Sequence, residues 1–461
     1  MFKKIVVLIC LCCFCSFSVF AETSLPQKPN ITSAGYVLYN PDNDEVVDSI
    51  NENVRMYPAS LTKMLTALIA VDLSTDIDAD KATVSENAIK SLYGTSSSTA
   101  GLKIGEVLTV RQLLYSLILP SGNDAANVLA EHFCGDNYSF ANLMNEKAKE
   151  IGMTDSNFAN PHGLHDDNHY TTAKDLAVLA DNFLNNETLA KIAQTIEYTF
   201  PATNKQGTRD IRTTNFMKIE NSGYYYKYAT GLKTGNTEQA GRCLAASAEK
   251  DGVRYICILL NCPEKWERWG YVRTEFLEAA EIFKYAFETY ETVKVASKGQ
   301  LVAKHNVYET YNKNVDTVLK NDVFATLPKG IDLSGVSISY KCDKLRADGL
   351  LPNPVNYGDN LGKASVMLNN RILGVSDTVA NNTVKAHWWL SFWHKIDFYV
   401  FISLIIIGSL VLIFLLLIIR KKIVIYKRKK EKLKRLEKRK ILQAEFDSKE
   451  PLDYFNFKSG H

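Results

Sequence analysis

The sequence predicts an α+β domain, then a smaller all-β domain, then one C-terminal transmembrane helix. Three observations carry this prediction. Strand patterns stand at both ends of residues 22–290, with helical patterns between them. Short strand-like runs separated by Gly, Asn and Asp fill residues 291–385. Phe398 to Ile419 is an unbroken apolar run, against the roughly 20 residues needed to cross a bilayer.

The chain opens on a secretory signal, residues 1–21. Lys3 and Lys4 precede an apolar core, and Val19-Phe20-Ala21 forms a small-residue cleavage site. The alternating Gly35-Tyr36-Val37-Leu38-Tyr39, the turn Asn40 to Asp44 and then Glu45 to Asp48 read as a hairpin. Apolar residues at three-and-four spacing predict helices over Thr62 to Val71, Val110 to Leu119, Asp124 to His132, Ser139 to Ile151 and Thr172 to Phe183. Leu244 to Ala248 and Val253 to Leu260 flank an Asp251-Gly252 hairpin signal, and an amphipathic helix follows over Phe276 to Tyr290. The late strands are expected to join the first hairpin in one sheet. Beyond it, the runs Val302 to Tyr308, Asp316 to Val318, Val336 to Tyr340, Ala364 to Leu368 and Arg371 to Val375 predict a β-rich stalk.

Aromatic residues Trp388, Trp389, Trp393 and Tyr399 crowd the start of the apolar run, as at a membrane interface. Arg420 to Lys440 then carries thirteen Lys or Arg and two Glu. The positive-inside rule makes residues 420–461 a cytoplasmic tail and places residues 22 to about 395 outside the cell membrane. Beside a membrane such a cluster holds anionic lipid headgroups, and nucleic acid is not expected as a partner. The whole chain is +3, so the portion before this tail is net negative and offers a polyanion nothing. Of nine cysteines, Cys134, Cys243, Cys257, Cys262 and Cys342 remain after cleavage. None of these pairs has a redox C-x-x-C spacing, and they read as small apolar residues.

Chemistry is carried by three motifs in order: Ser60-Leu61-Thr62-Lys63, Ser121-Gly122-Asn123 and Lys233-Thr234-Gly235. Each recurs elsewhere by chance, at Ser247 and Lys250, at Ser85 and Asn87, and at Lys458-Ser459-Gly460. Context separates them. Ser60 opens a helix, so Lys63 lies one turn on and on the same face. A serine hydroxyl needs a base, and a lysine serves only when burial or a nearby cation keeps it neutral. Lys233 supplies such a cation. Ser121-Gly122-Asn123 sits in a Pro-Gly loop before a helix: Ser121 would relay a proton, Asn123 would bind a substrate amide, or Asn123 would simply cap the helix. Lys233 and Thr234 would hold a terminal carboxylate, and Gly235 would let an edge strand approach an extended ligand. Backbone N–H groups of Ser60 and Asn236 would form an oxyanion hole, a contribution of about 3–4 kcal/mol per donor. His162, His165 and His169 with Asp166 and Asp167 fit no zinc-ligand spacing, so neither metal nor other cofactor is expected. The Tyr224-Tyr225-Tyr226 cluster reads as packing, with a carbohydrate platform as the alternative.

These motifs resemble those of the penicillin-binding serine D-alanyl-D-alanine carboxypeptidases of low molecular mass. The shared words are Pro58 to Lys63, Leu119 to Ala126, Asn160 to Leu164, His169 to Ala173 and Gly231 to Thr237. The resemblance implies a class A β-lactamase/transpeptidase-like α/β sandwich followed by the family's small all-β domain. It implies acylation of Ser60 by a peptidoglycan stem peptide, release of terminal D-alanine, hydrolysis, and inhibition by β-lactams acting on the same serine.

Two departures stand out. The family's Arg before a Phe, which contacts the substrate carboxylate, is replaced here by Glu275, and Arg273 is the expected substitute. A full membrane span takes the place of a surface helix. Alternative readings are a DD-endopeptidase, a transpeptidase or a β-lactamase of the same fold, or a catalytically silent wall-binding scaffold.

Overall fold

The computed structural model describes residues 26–268, 270–395 and 398–447. The signal at residues 1–21 and the Lys458-Ser459-Gly460 repeat of the third motif lie outside the described residues.

The chain starts with the expected hairpin, β1 (Gly35–Asn40) and β2 (Glu45–Ile50). A 3₁₀ turn, Ala59–Thr62, runs into α1 (Lys63–Leu73). Next come β3 (Lys81–Thr83), α2 (Glu86–Lys90), β4 (Val107–Thr109), α3 (Val110–Ile118), α4 (Asn123–Cys134) and α5 (Asn137–Glu150). α6 (Ala173–Asn185), α7 (Glu187–Gln194), β5 (Glu197–Phe200) and β6 (Arg209–Arg212) precede the long strands β7 (Ala229–Thr237), β8 (Gly241–Lys250) and β9 (Val253–Cys262). The hairpin β10 (Lys265–Glu267) and β11 (Gly270–Val272) leads into α8 (Thr274–Thr289).

One sheet runs β2-β1-β9-β8-β7, so the first hairpin joins the last strands as expected. Alternation along its strands feeds two cores. Val37, Tyr39, Ala245, Ile256 and Ile258 pack with α1 and α3 to α6 on one face. Tyr36, Leu38, Leu244, Tyr255 and Leu259 pack with Phe276, Ile282 and Phe283 of α8 on the other. The arrangement is a sheet between helical layers, and β7 is its edge. Asp251 and Gly252 both have positive φ, which a two-residue hairpin turn between Lys250 and Val253 requires.

By compactness the chain divides into two units: residues up to Lys298 with Asn321–Ser339 and Ala364–Ser376, and Gly299–Lys320 with Tyr340–Lys363 and the remainder. In the first, β12 (Tyr290–Ala296) pairs with β15 (Val323–Pro328), strands absent from the expected set. In the second, β13 (Leu301–Asn306) pairs with β14 (Asn314–Leu319) around Val307, Val315, Leu351, Val355 and Leu361. β16 (Val336–Cys342), β17 (Asn360–Leu368) and β18 (Arg371–Ala380) match expected runs and extend them. α9 (Trp388–Lys395) and α10 (Phe398–Asp447) end the described chain. α10 holds the apolar run and the basic run in one helix, long and apolar enough to cross a membrane.

Candidate active site

Ser60 stands on the 3₁₀ turn, and this tightening brings the first pair together. In a 3₁₀ turn residues i and i+3 eclipse, so Lys63 lies directly over Ser60. Its Nζ donates to Ser60 Oγ at 2.8 Å and to the carbonyl of His162 at 2.6 Å. The turn is held from behind. Ala59 has φ 47°, a strained value for alanine. Thr62 donates to the Ala59 carbonyl at 2.8 Å and meets His169 Nε2 at 2.8 Å. Gly163, at φ 83°, presses so closely that a Cβ there would sit 1.9 Å from the Ala59 oxygen.

Lys63 is wholly buried among Met64, Leu65 and its neighbours. Burial drives its pKa well below the usual lysine value, the Lys233 ammonium adds to this, and Asp124 opposes it. Burial likewise pushes His162 down to about 3 and His169 to about 4, so both are neutral at pH 7.

The second motif forms the turn before α4. Ser121 is buried at φ 64°, and a Cβ on Gly122 would lie 2.7 Å from the Ser116 carbonyl. Helix α4 takes Gly122, not Asn123, as its N-cap position, without a side-chain cap. Asp124 instead accepts from the backbone of Ala100, Leu102 and Ala125 at 2.9, 3.0 and 2.9 Å, pinning the segment before α3. Asn123 is thereby left with a buried Oδ1 that has no hydrogen-bond partner among the described residues.

The third motif lies along β7. Lys233 is buried, donates to the Thr234 carbonyl at 3.0 Å, and is lowered to about 7 by burial. Thr234 shares a 2.6 Å hydroxyl contact with Thr214. Gly235 lets β7 close on the serine turn, since a Cβ there would meet the Pro58 oxygen at 3.0 Å and the Ala59 Cβ at 3.2 Å. Asn236 is exposed at the strand end, opposite Arg242 of β8.

Arg273 stands at the start of α8, its guanidinium 3.4 Å from Glu275 and 5.2 Å over the Phe216 ring. Glu275 also faces Arg242 at 3.9 Å.

The structure therefore brings Ser60, Lys63, Lys233, Thr234 and Gly235 around one serine turn, with Ser121 in the turn before α4 and Asn123 the first residue of that helix. The repeats of the motifs stand apart. Ser247 is buried on β8 against Thr230, and Ser85 caps α2 and bonds Glu131. The tyrosine run is packing at two of its three positions: Tyr224 lies against Phe216 and Phe276, and Tyr226 against Phe283. The five described cysteines are free thiols, three of them buried.

Sequence reasoning assigned no role here to Asp124, His162, Gly163, His169, Thr214 or Arg242. Asp124 follows the second motif directly, and a carboxylate in a first helical turn was a usable signal. Thr214 and the His162 carbonyl carried none, because their roles depend on loops folding back from distant positions.

Comparison with known proteins follows the same lines. The family described as D-alanyl-D-alanine carboxypeptidase matches residues 22–264, and the penicillin-binding protein 5 C-terminal domain matches residues 290–386. D-alanyl-D-alanine carboxypeptidase DacF of Bacillus subtilis is 31% identical over 360 residues, 77% of this chain and 87% of the relative. Penicillin binding protein 5 from Haemophilus influenzae has a similar structure, at TM-score 0.63 and 28% identity over 78% of this chain and 99% of that one. The Streptomyces K15 DD-transpeptidase superposes at TM-score 0.52 and 27% identity, covering 57% of this chain and 99% of that one. The expected transpeptidase-like sandwich and all-β domain are borne out, and this chain belongs to the D-alanyl-D-alanine carboxypeptidase family of serine hydrolases.

Proposed function

We propose that the chain is a membrane-anchored serine carboxypeptidase that removes the terminal D-alanine of peptidoglycan stem peptides through an acyl-enzyme on Ser60. The observation that carries this reading is the buried Lys63 Nζ, 2.8 Å from Ser60 Oγ and depressed in pKa by burial and Lys233. A neutral Lys63 accepts the hydroxyl proton as Ser60 Oγ bonds to the carbonyl carbon of the penultimate D-alanine. The carbonyl becomes an oxyanion facing the backbone N–H groups of Ser60 and Asn236. Ser121 passes the proton to the departing nitrogen, the C–N bond breaks, and D-alanine leaves. Water then repeats the sequence on the ester, with its proton returning through Lys63 to Ser60. Asn123 offers its unpartnered Oδ1 to a substrate amide, while Lys233 and Thr234 hold the terminal carboxylate. Gly235 keeps β7 close enough to the serine for both to act on one extended peptide.

β-Lactams acylate Ser60 in the same way and inhibit. Helix α10 crosses the cell membrane once through its apolar part, with the basic part in the cytoplasm near anionic lipid and the catalytic domain outside. A direct test incubates the detergent-solubilised protein with a stem pentapeptide and measures free D-alanine. Release is expected from the parent and none above background from Ser60→Ala; equal release from both would remove Ser60 as nucleophile. The likeness to the K15 DD-transpeptidase favours a second reading, acyl transfer. An added amino acceptor distinguishes them: hydrolysis leaves the tetrapeptide acid, whereas transfer diverts it into a new amide.

A further inference from the structure

Beside the third motif lies a charged cluster that catalysis as described does not use. Arg242 on β8 stands opposite Asn236 of β7, and Thr234 is its diagonal neighbour two residues along. Directly opposite and diagonal side chains share a face of an antiparallel pair, within reach of a long side chain. The face is that of α8, because Leu244, opposite Thr234, packs in the core with Phe276. Thr214 ties Thr234 to the segment carrying Phe216, over which Arg273 lies.

Between the two arginines sits Glu275, almost fully buried, 3.9 Å from Arg242 and 3.4 Å from Arg273. One of its oxygens, Oε2, is buried without a hydrogen-bond partner among the described residues. Two guanidiniums share one carboxylate, so the cluster retains one positive charge. Arg242 is also the more rigidly held of the two. Its Nε donates to the Tyr271 hydroxyl, its guanidinium lies 4.4 Å from the centre of that ring, and only 17% of its side chain is exposed. A guanidinium presents five donors, so these contacts leave several for an incoming ligand.

We propose that Arg242, steadied by Tyr271 and by the buried Glu275, is the specificity-determining cation for the C-terminal carboxylate of the peptide substrate. Arg273 is then a secondary partner, engaged with Phe216 and Glu275. The chemical class recognised is a free peptide acid lying along β7, because a guanidinium forms paired charge-assisted bonds with a carboxylate that an amide cannot reproduce. This assignment rests on the carboxypeptidase reading above.

The test uses the full-length protein in detergent. KM and kcat are measured for a stem pentapeptide ending in D-Ala-D-Ala with a free acid, and for the same peptide ending in a C-terminal amide. Arg242→Gln is expected to lower kcat/KM on the free acid by about 10–100-fold, mainly through KM, and on the amide by less than about 3-fold. Arg242→Lys, which keeps the charge and loses the fork, should recover part of the loss. Equal losses on both peptides with a lower melting temperature would make Arg242 only the structural partner of Glu275, and would overturn the proposal. So would an acid-selective loss in Arg273→Gln that Arg242→Gln lacks. A parent enzyme that releases neither D-alanine from the acid nor D-alaninamide from the amide would sink the carboxypeptidase reading itself, a result distinct from both.

Discussion

Lys63 and Lys233 are two amines without solvent contact, and burial acts on both in the same direction. They differ in what else reaches them. The Lys233 charge lowers Lys63 further while Asp124 opposes it, and Lys63 is the amine bonded to the serine. Lys233 is lowered to about 7. In the free enzyme, kcat/KM should therefore rise with pH while Lys63 loses its proton, then fall above about pH 7 as Lys233 loses the charge that attracts a carboxylate. Stopped assays of D-alanine release across pH 5 to 10 check this. Lys233→Arg should abolish the alkaline fall, since a guanidinium stays charged throughout. An unchanged fall would take Lys233 out of substrate binding. The sequence showed both lysines but not the depth of their burial. Lys63 in isolation looks like a solvated helix lysine; Lys233 in isolation looks like an edge-strand one.

At the level of elements, the serine turn is held by a segment about one hundred residues further along the chain. Gly163 is the one residue type that fits there: its φ is 83°, and any Cβ would collide with the Ala59 carbonyl. Gly163→Ala is expected to cost about 1–3 kcal/mol in backbone strain alone. It should slow acylation by a fluorescent penicillin more than Gly152→Ala does, because Gly152 also has positive φ but open space around its Cβ position. Calorimetry separates the shared strain from the effect on the turn; equal acylation in the two variants would show that the 161–164 loop does not position Ser60. This loop also marks the boundary of what periodicity could reveal. Helices α1 and α3 to α6 and the Asp251-Gly252 hairpin were legible because each follows from local pattern, and the joining of the first hairpin to the late strands followed from the order of strands and helices along the chain. The short pairs β3–β4 and β5–β6, helix α7, and strands β12 and β15 were not, being brief or set by distant partners. The same holds for the first turn of α1, expected as α-helix and found as 3₁₀, a tightening that Ala59 and its contacts impose. Arg242 escaped notice because only strand register puts it beside the third motif.

On the scale of the whole molecule, one polypeptide carries a sandwich around the serine turn, a β-rich segment, and a 50-residue helix α10 that is apolar first and basic after. Length and composition made the apolar run legible at once; that the basic run continues the same helix was not, because lysine-rich sequence suits helix and solvated coil alike. If α10 spans the membrane as proposed, protease added to intact cells or right-side-out vesicles should digest the sandwich but spare an epitope fused after residue 447. Permeabilising the membrane should expose that epitope. Digestion without permeabilisation would reverse the topology. Removing residues 386–461 should yield a protein that stays in solution and keeps kcat for a soluble pentapeptide within about 3-fold, because the residues gathered at Ser60 all precede the span.

If a neutral amine activates Ser60 as proposed, Lys63→Arg isolates that step. Arginine has a comparable reach but does not give up its proton in a protein. Intact-mass measurement of the penicillin adduct, with the modified peptide located by fragmentation, should find rapid one-to-one acylation on Ser60 in the parent. It should find none in Lys63→Arg from pH 6 to 10. Acylation of Ser60 in Lys63→Arg at the parent's rate would show that Lys63 is not the base.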